Sequence, residues 1–251
     1  MRVSSEGFTM DRIDFFLPSM FTALNLFFGF FSIVSVIEGN LSAAAWYIIL
    51  AVLFDGMDGK LARWAGSETK MGYEFDSFAD FVSAGIAPAL LAYRGGLYSF
   101  HIFGMFICFL FVFCGCYRLV RFNVIQGGSR EEGYIGLPIP IAGITIASLW
   151  IFDPPFKWHI FSGEWVIVII FLALLMVSSV HFQWPTIDFK RGWKKRASSC
   201  GILFAILMMA LYPNWTLLPI FIFYIILSLK SWFIDYLKGN VKLKEFFITT
   251  R

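Results

Sequence analysis

Charged side chains are scarce in this chain of 251 residues: Asp, Glu, Lys and Arg make up 15% of it. Globular domains usually carry about 25% charged residues. Hydrophobic residues reach 59% and are spread along the whole length, which disfavours a water-soluble fold. The formal net charge of +3 is too small to indicate a nucleic-acid partner, so we expect none.

Other signals are missing as well. No small-residue cleavage site follows the first apolar run, so we expect that run to be a retained membrane helix rather than a signal peptide. The four cysteines and three histidines lack the spacing of a metal site or a disulfide framework. What is abundant is aromatic: 31 Phe and nine Trp are typical of lipid-facing helices with interfacial belts.

Apolar runs of membrane-spanning length recur along the chain. A hydrocarbon core about 30 Å thick needs roughly 20 apolar residues per helix. We therefore predict an all-α integral membrane protein, a bundle of about eight transmembrane helices in a single domain over residues 1–251. The predicted spans are Leu17–Ile37, Leu41–Leu61, Ser77–Ala92, Phe100–Leu119, Leu137–Phe152, Trp165–His181, Gly201–Tyr212 and Thr216–Phe233. Six full helices and a C-terminal pair turning at Pro213–Trp215 is the alternative.

The distribution of basic residues predicts the orientation of these helices, because cytoplasmic loops are enriched in Lys and Arg. With a cytoplasmic N-terminus, every Lys and Arg except Arg94 and Lys157 falls on the cytoplasmic side. We expect both termini in the cytoplasm and a multi-pass protein of the cell membrane. The basic cluster at residues 190–196 is interpreted as an anchor on anionic lipid.

Four aspartates occupy one short stretch of this apolar sequence: Asp55, Asp58, Asp76 and Asp80. Ionisable residues at membrane depth are costly and mark functional sites. Helical spacing places the first two on one face and the last two on another, so two helices joined by the loop Trp64–Met71 would bring them together. Clustered carboxylates need a cation, and oxygen ligands select hard ions such as Mg²⁺, Mn²⁺ or Ca²⁺.

Small residues and one arginine accompany the carboxylates. Gly59, Ala62 and Gly72 leave room for a ligand that bridges the metals, and Arg63 offers a forked cation for phosphate. This combination indicates a phosphate or diphosphate substrate, with the metals acting as Lewis acids. The structural alternative is that the aspartates cap helices and pair with nearby Lys and Arg.

The pattern D-x2-D-G-x2-A-R-x8-G-x3-D-x3-D, at residues 55–80, resembles the signature of the CDP-alcohol phosphatidyltransferase family at every fixed position. The resemblance implies attack by an alcohol hydroxyl on the phosphorus of a CDP-activated lipid, with release of CMP. It implies a site for two Mg²⁺ or Mn²⁺ ions with the ligands Asp55, Asp58, Asp76 and Asp80. Asp80 is also the candidate catalytic base. The CDP-lipid pocket would be shaped by Gly59, Ala62, Arg63 and Gly72. A homodimer is expected on the same ground.

Two later stretches concern the acceptor alcohol. The R-x2-R-F-N and G-L-P-x-P elements, at residues 118–123 and 136–140, resemble those of the bacterial and archaeal phosphatidylserine synthases in this family. This resemblance implies CDP-diacylglycerol and L-serine as substrates, at the cytoplasmic face. Serine is a zwitterion, so Arg118, Arg121 and Asn123 are the candidate serine-binding residues. Positive-inside topology could also explain both arginines.

Several alternatives stay open at this point. Thr22 and Asn25 share a face of the first helix, where they either contact the CDP-lipid or hold helices together. An inositol phosphate or glycerol phosphate acceptor is compatible with the same metal motif. A divalent-cation transporter would also place carboxylates in a helix bundle, but the nearly uncharged outer halves of the helices argue against it.

Overall fold

The computed structural model describes residues 7–65, 69–126, 134–152, 162–182 and 201–237, except 202–203, 206 and 210. Of residues 7–18, 58–65, 70, 125–126, 134, 162 and 235 it describes the backbone alone. The described chain is almost entirely helical, which is consistent with the predicted membrane protein. Its helices are α1 (Gly7–Ile37), α2 (Leu41–Ala65), α3 (Lys70–Asp80), α4 (Ala87–Ala92), α5 (His101–Gln126), α6 (Ile139–Ile151), α7 (Ser162–Val177) and α8 (Pro213–Leu237).

Three helical stretches among the described residues have the length and composition to cross a membrane: Ser19–Ile37, Met71–Val124 and Pro213–Ile234. Shorter apolar helices cover Leu41–Met57, Ile139–Ile151 and Gly163–Val177. The longest stretch is interrupted at His101, the first residue of α5, whose φ is +47°. The number of membrane-spanning helices, predicted as eight, and the orientation of the termini stay predictions.

A π-helical turn, Phe81–Ile86, joins α3 to α4 without a loop. Pro88 has no N–H and cannot donate to the carbonyl of Ala84, so the regular hydrogen-bond ladder cannot pass this point unchanged. Ala87 instead donates to Val82, five residues back. A second π-helical turn, Tyr93–Leu97, and a short 3₁₀ turn, Tyr98–Phe100, lead on to α5.

Helix α6 lies at the centre of the bundle. Its residues from Ile141 to Ser148 are all buried, and it packs on α2, α4, α7, α8 and the π-helical turn after α3. A Cβ on Gly143 would lie 2.9 Å from the carbonyl oxygen of Ala84, so only glycine allows this close approach of α6. Gly29 plays the same part on α1, because a Cβ there would lie 2.6 Å from the Cβ of Ser83. Small residues therefore let α1 and α6 approach the π-helical turn from two sides.

Two short strands, Tyr134–Ile135 and His181–Phe182, pair antiparallel, with Tyr134 opposite Phe182 and Ile135 opposite His181. The sequence did not predict them, because each is too short to show a two-residue period. Gly136 follows with a φ of +81° and donates to the carbonyl of Val180 at 2.8 Å. Pro138 then caps α6, as its fixed backbone angle allows.

Several predicted boundaries were wrong. Helix α1 begins before Leu17 and runs through Pro18, and the third predicted span begins earlier, at Lys70. The sixth ends before His181, which lies in a strand. Pro213–Trp215 form the first turn of α8 rather than a loop, because proline is tolerated where no intrahelical donor is needed.

Candidate active site

Three aspartates meet where α2 and α3 face each other. One carboxylate oxygen from each of Asp55, Asp76 and Asp80 lies within 4.8 Å of the others. Asp55 and Asp76 are half-buried, and Asp80 is 7% exposed. Carboxylate oxygens are the donors that Mg²⁺ and Mn²⁺ prefer, and their spacing lets one ion contact all three. The described donors therefore fit a hard divalent cation.

The start of α3 is fixed by a side-chain cap. Thr69 accepts a hydrogen bond from the backbone N–H of Gly72 at 3.0 Å. A Cβ on Gly72 would lie 3.2 Å from the Thr69 hydroxyl, so the glycine also gives the cap room. The sequence assigned Gly72 to the CDP-lipid pocket. The structure adds a local role in setting where the helix that carries Asp76 and Asp80 begins.

Four residues of the signature have only their backbone described. Asp58, Gly59, Ala62 and Arg63 lie in α2, after Asp55, and their side chains are outside the described set. The helical backbone places Asp58 three residues after Asp55, on the same side of α2. Their roles as fourth carboxylate, pocket wall and phosphate-binding cation stay predictions.

Asn25 of α1 contacts the carboxylate cluster directly. Its amide nitrogen donates to Oδ1 of Asp80 at 3.1 Å, and both residues are buried. Thr22, one turn earlier, is also buried. The sequence predicted that both residues either contact the CDP-lipid or hold helices together. The structure brings Asn25 to a predicted metal ligand, a contact across 55 positions that no local pattern reveals.

Asn123, near the end of α5, is hydrogen-bonded to α3, the helix that carries Asp76 and Asp80. Its amide nitrogen donates to the hydroxyl of Ser77 at 3.0 Å, and Ser77 directly follows Asp76. The predicted acceptor segment and the predicted metal segment are therefore joined by a side-chain contact. Ser77 was missed in the sequence. A small polar residue next to a motif aspartate on a membrane helix is the signal that could have found it.

The guanidinium of Arg121, in α5, donates hydrogen bonds to backbone carbonyls outside its own helix. It donates to the carbonyls of Val177 at 2.9 Å, Ile135 at 2.7 Å, Met176 at 3.2 Å and Ser178 at 3.0 Å. The carbonyls of Met176 and Val177 end α7 and that of Ser178 directly follows it, at a helix terminus where carbonyls lack intrahelical donors and attract cations. Arg121 thus fastens α5 to the end of α7 and to the first strand.

The close fit around this arginine explains a glycine. A Cβ on Gly136 would contact Nη2 of Arg121 and the carbonyl of Met176. Arg118, one turn before Arg121, is also buried, and its guanidinium stacks on the ring of Phe122 at 5.2 Å. The two arginines predicted to share a face thus have different neighbours. Only for Arg121 do the described contacts amount to a complete structural role.

Comparisons with known proteins agree with the signature. The sequence model of the CDP-alcohol phosphatidyltransferase family matches residues 15–176. A CDP-diacylglycerol–serine O-phosphatidyltransferase of Helicobacter pylori is 35% identical over 172 residues, covering 67% of this chain and 72% of the relative. An archaetidylserine synthase of Methanothermobacter thermautotrophicus is 37% identical, covering 68% and 70%. A serine O-phosphatidyltransferase of Bacillus subtilis is 37% identical, covering 66% and 89%.

Proposed function

This chain belongs to the CDP-alcohol phosphatidyltransferase family, and we propose that it transfers the phosphatidyl group of CDP-diacylglycerol to the hydroxyl of L-serine. The products are phosphatidylserine and CMP. The observation that carries the proposal is the cluster of Asp55, Asp76 and Asp80, whose oxygens lie within 4.8 Å of one another at the predicted position. The names of the relatives support serine as the acceptor.

The chemistry assigns a task to the residues of the signature. Asp55, Asp76 and Asp80, with Asp58, would hold two Mg²⁺ or Mn²⁺ ions, which supply Lewis-acid activation of the phosphate and stabilise the departing CMP. Asp80 accepts the proton of the serine hydroxyl, whose oxygen forms a bond to the lipid-side phosphorus as the bond to CMP breaks. Arg63 and the small residues of the signature are proposed to hold the CDP-lipid.

The acceptor is proposed to bind at the end of α5. Arg118 and Asn123 offer a cation for the serine carboxylate and an amide for its polar groups. Asn123 is linked through Ser77 to the helix of Asp76, which supports a position next to the reacting atoms. Arg121 was predicted in the same role. Its contact with serine stays a prediction, because its described hydrogen bonds go to backbone carbonyls.

An acceptor panel tests this proposal. Purified protein in detergent, given CDP-diacylglycerol and Mn²⁺, is expected to release CMP with L-serine and not with inositol phosphate or glycerol phosphate. A phosphorylated acceptor would add negative charge beside the carboxylates and would need extra cations there. CMP release is measured for each acceptor alone. Release with a sugar phosphate and none with serine would overturn the acceptor while leaving the metal chemistry intact.

We further propose a location in the cell membrane with the site at the cytoplasmic face. Helix α5 supports an apolar environment, because Phe103, Phe106, Phe109 and Phe113 are all exposed on its surface. The near-exclusive placement of Lys and Arg in the predicted cytoplasmic segments supports the orientation. The homodimer stays a prediction that rests on the family resemblance.

Cysteine labelling tests the orientation. In a background without the native cysteines, Ser99→Cys and Gly163→Cys are expected to react with an impermeant thiol reagent from outside the cell. Both positions are exposed, and a side chain on Gly163 meets nothing within 4 Å, so neither substitution strains the fold. Ser129→Cys and Ser198→Cys, in the predicted cytoplasmic segments, should react only after permeabilisation. The opposite pattern would invert the topology.

A further inference from the structure

Asn25 is fully buried in α1, and its one described hydrogen bond from the side chain goes to Asp80. We infer that Asn25 is a positioning residue for Asp80: it fixes the carboxylate in the orientation that the metal site needs, rather than contacting the nucleotide. The inference rests on the proposed function, because it takes Asp80 to be a metal ligand and a base. This role differs from both roles that the sequence left open for Asn25, contact with the CDP-lipid and packing between helices.

The first argument is the charge on the acceptor. A hydrogen bond to a carboxylate is stronger than one between neutral groups, and burial strengthens it further. With one oxygen of Asp80 held by the amide of Asn25 at 3.1 Å, rotation of the carboxylate is restricted. Partners behind metal ligands commonly orient them in this way, and their loss weakens metal binding.

The second argument is the other end of the amide. The Oδ1 atom of Asn25 is buried and accepts no hydrogen bond within the described part of the chain. A buried acceptor without a donor is costly, so such atoms are rare and call for an explanation. Turning the amide over would place its oxygen against a carboxylate. The described orientation therefore serves Asp80 and leaves the opposite oxygen unsatisfied.

The third argument is the distance between the backbones. The asparagine side chain is short, so it can reach Asp80 only where α1 lies close to the end of α3. One turn beyond Asn25, Gly29 contacts Ser83, and a Cβ there would lie 2.6 Å from the Ser83 Cβ. Ser83 lies one turn beyond Asp80, so the Gly29–Ser83 approach is the next contact between the same two helical segments. The glycine thus maintains the approach that the Asn25–Asp80 hydrogen bond requires.

The test is Mn²⁺ binding to the full-length protein in detergent, followed by the loss of the free-ion signal in electron paramagnetic resonance. Asn25→Leu keeps the number and branching of the non-hydrogen side-chain atoms but removes the donor. We expect Mn²⁺ to bind roughly ten- to a hundredfold more weakly. The KM for CDP-diacylglycerol at saturating Mn²⁺ should stay within about threefold, because no nucleotide contact is lost. Gly29→Ala keeps Asn25 but separates the helices, and should weaken Mn²⁺ binding in the same direction.

Ser32→Ala is the matched control. Ser32 is also fully buried in α1, and its hydroxyl donates to the carbonyl of Ala44 at 2.9 Å, away from the aspartates. This variant loses a buried bond between helices, so it should lower thermal stability without changing Mn²⁺ binding. If Asn25→Leu does not fold, Asn25→Ser also removes the amide and carries the same expectation.

The outcomes separate this inference from the proposed function. Unchanged Mn²⁺ binding in Asn25→Leu would overturn the inference. A raised KM for CDP-diacylglycerol in the same variant would indicate that Asn25 contacts the nucleotide instead. Equal weakening of Mn²⁺ binding in Ser32→Ala would also overturn it, since any loosening of α1 would then suffice. Wild-type protein that binds Mn²⁺ but transfers nothing to serine would overturn the proposed function, while the titrations would still decide the role of Asn25.

Discussion

Asp76→Asn is expected to lower turnover by roughly a hundredfold or more while the protein remains folded, because a neutral amide is a much weaker ligand for a hard cation. Asp58→Asn should behave alike if its side chain joins the same site. EDTA should abolish activity in the wild type, and added Mn²⁺ or Mg²⁺ should restore it. CMP release measures all of these effects, and the melting temperature in detergent establishes that the variants are folded.

Glu74→Gln provides the control on the same helix. Glu74 is exposed on α3, two residues before Asp76, and lies outside the carboxylate cluster. Glu74→Gln changes the charge of α3 by the same amount as Asp76→Asn. Because Glu74 lies outside the cluster, this variant should keep turnover within about twofold of wild type. Full activity in metal-free buffer would overturn the assignment of the site, whichever acceptor is used.

Arg121→Ala is expected to destabilise the protein by about 3 kcal/mol or more, since hydrogen bonds to a charged group contribute roughly 1.5–3 kcal/mol each. Four carbonyls would lose their donor, and those at the end of α7 have no intrahelical replacement. The stability of Arg121→Lys should lie between those of the wild type and Arg121→Ala, because an ammonium offers three donors without the planar fork. Arg94→Ala is the control: Arg94 is exposed and stacks on Tyr98.

The KM for serine decides whether Arg121 also binds substrate. In Arg121→Lys, provided that it folds, we expect the serine KM to stay within about threefold of wild type, because the described contacts are structural. A selective rise of ten- to a hundredfold, with the KM for CDP-diacylglycerol unchanged, is what the loss of a charge-assisted contact with serine would produce. That result would establish the direct role predicted from the sequence and contradict a purely structural one.

The sequence predicted the elements whose cause is local. Long apolar runs gave the helices, and helical spacing placed Asp76 and Asp80 on one face, where Asp55 meets them. The family followed from fixed residues within a short stretch. These features were accessible because hydrophobic length and helical period are properties of contiguous residues.

The contacts that orient the site were not accessible in this way. Asn25 and Asp80 are 55 positions apart, as are Arg121 and Met176, and no periodicity specifies such a pairing. Arg121 was assigned to serine from its charge and its motif, and its hydrogen bonds to the carbonyls of Met176 and Val177 join residues more than 50 positions apart. Its neighbours, not its type, distinguish the two roles.

The π-helical turn after Asp80 divides one continuous helix into two halves with different constraints. An additional residue in a turn rotates everything beyond it by about 100° relative to an unbroken α-helix. The carboxylates before the turn keep the spacing that metal coordination imposes, whereas the small residues of α4 beyond it are phased to pack on α2 and α6. The packing of the residues beyond the turn is therefore set separately from the spacing of the aspartates before it.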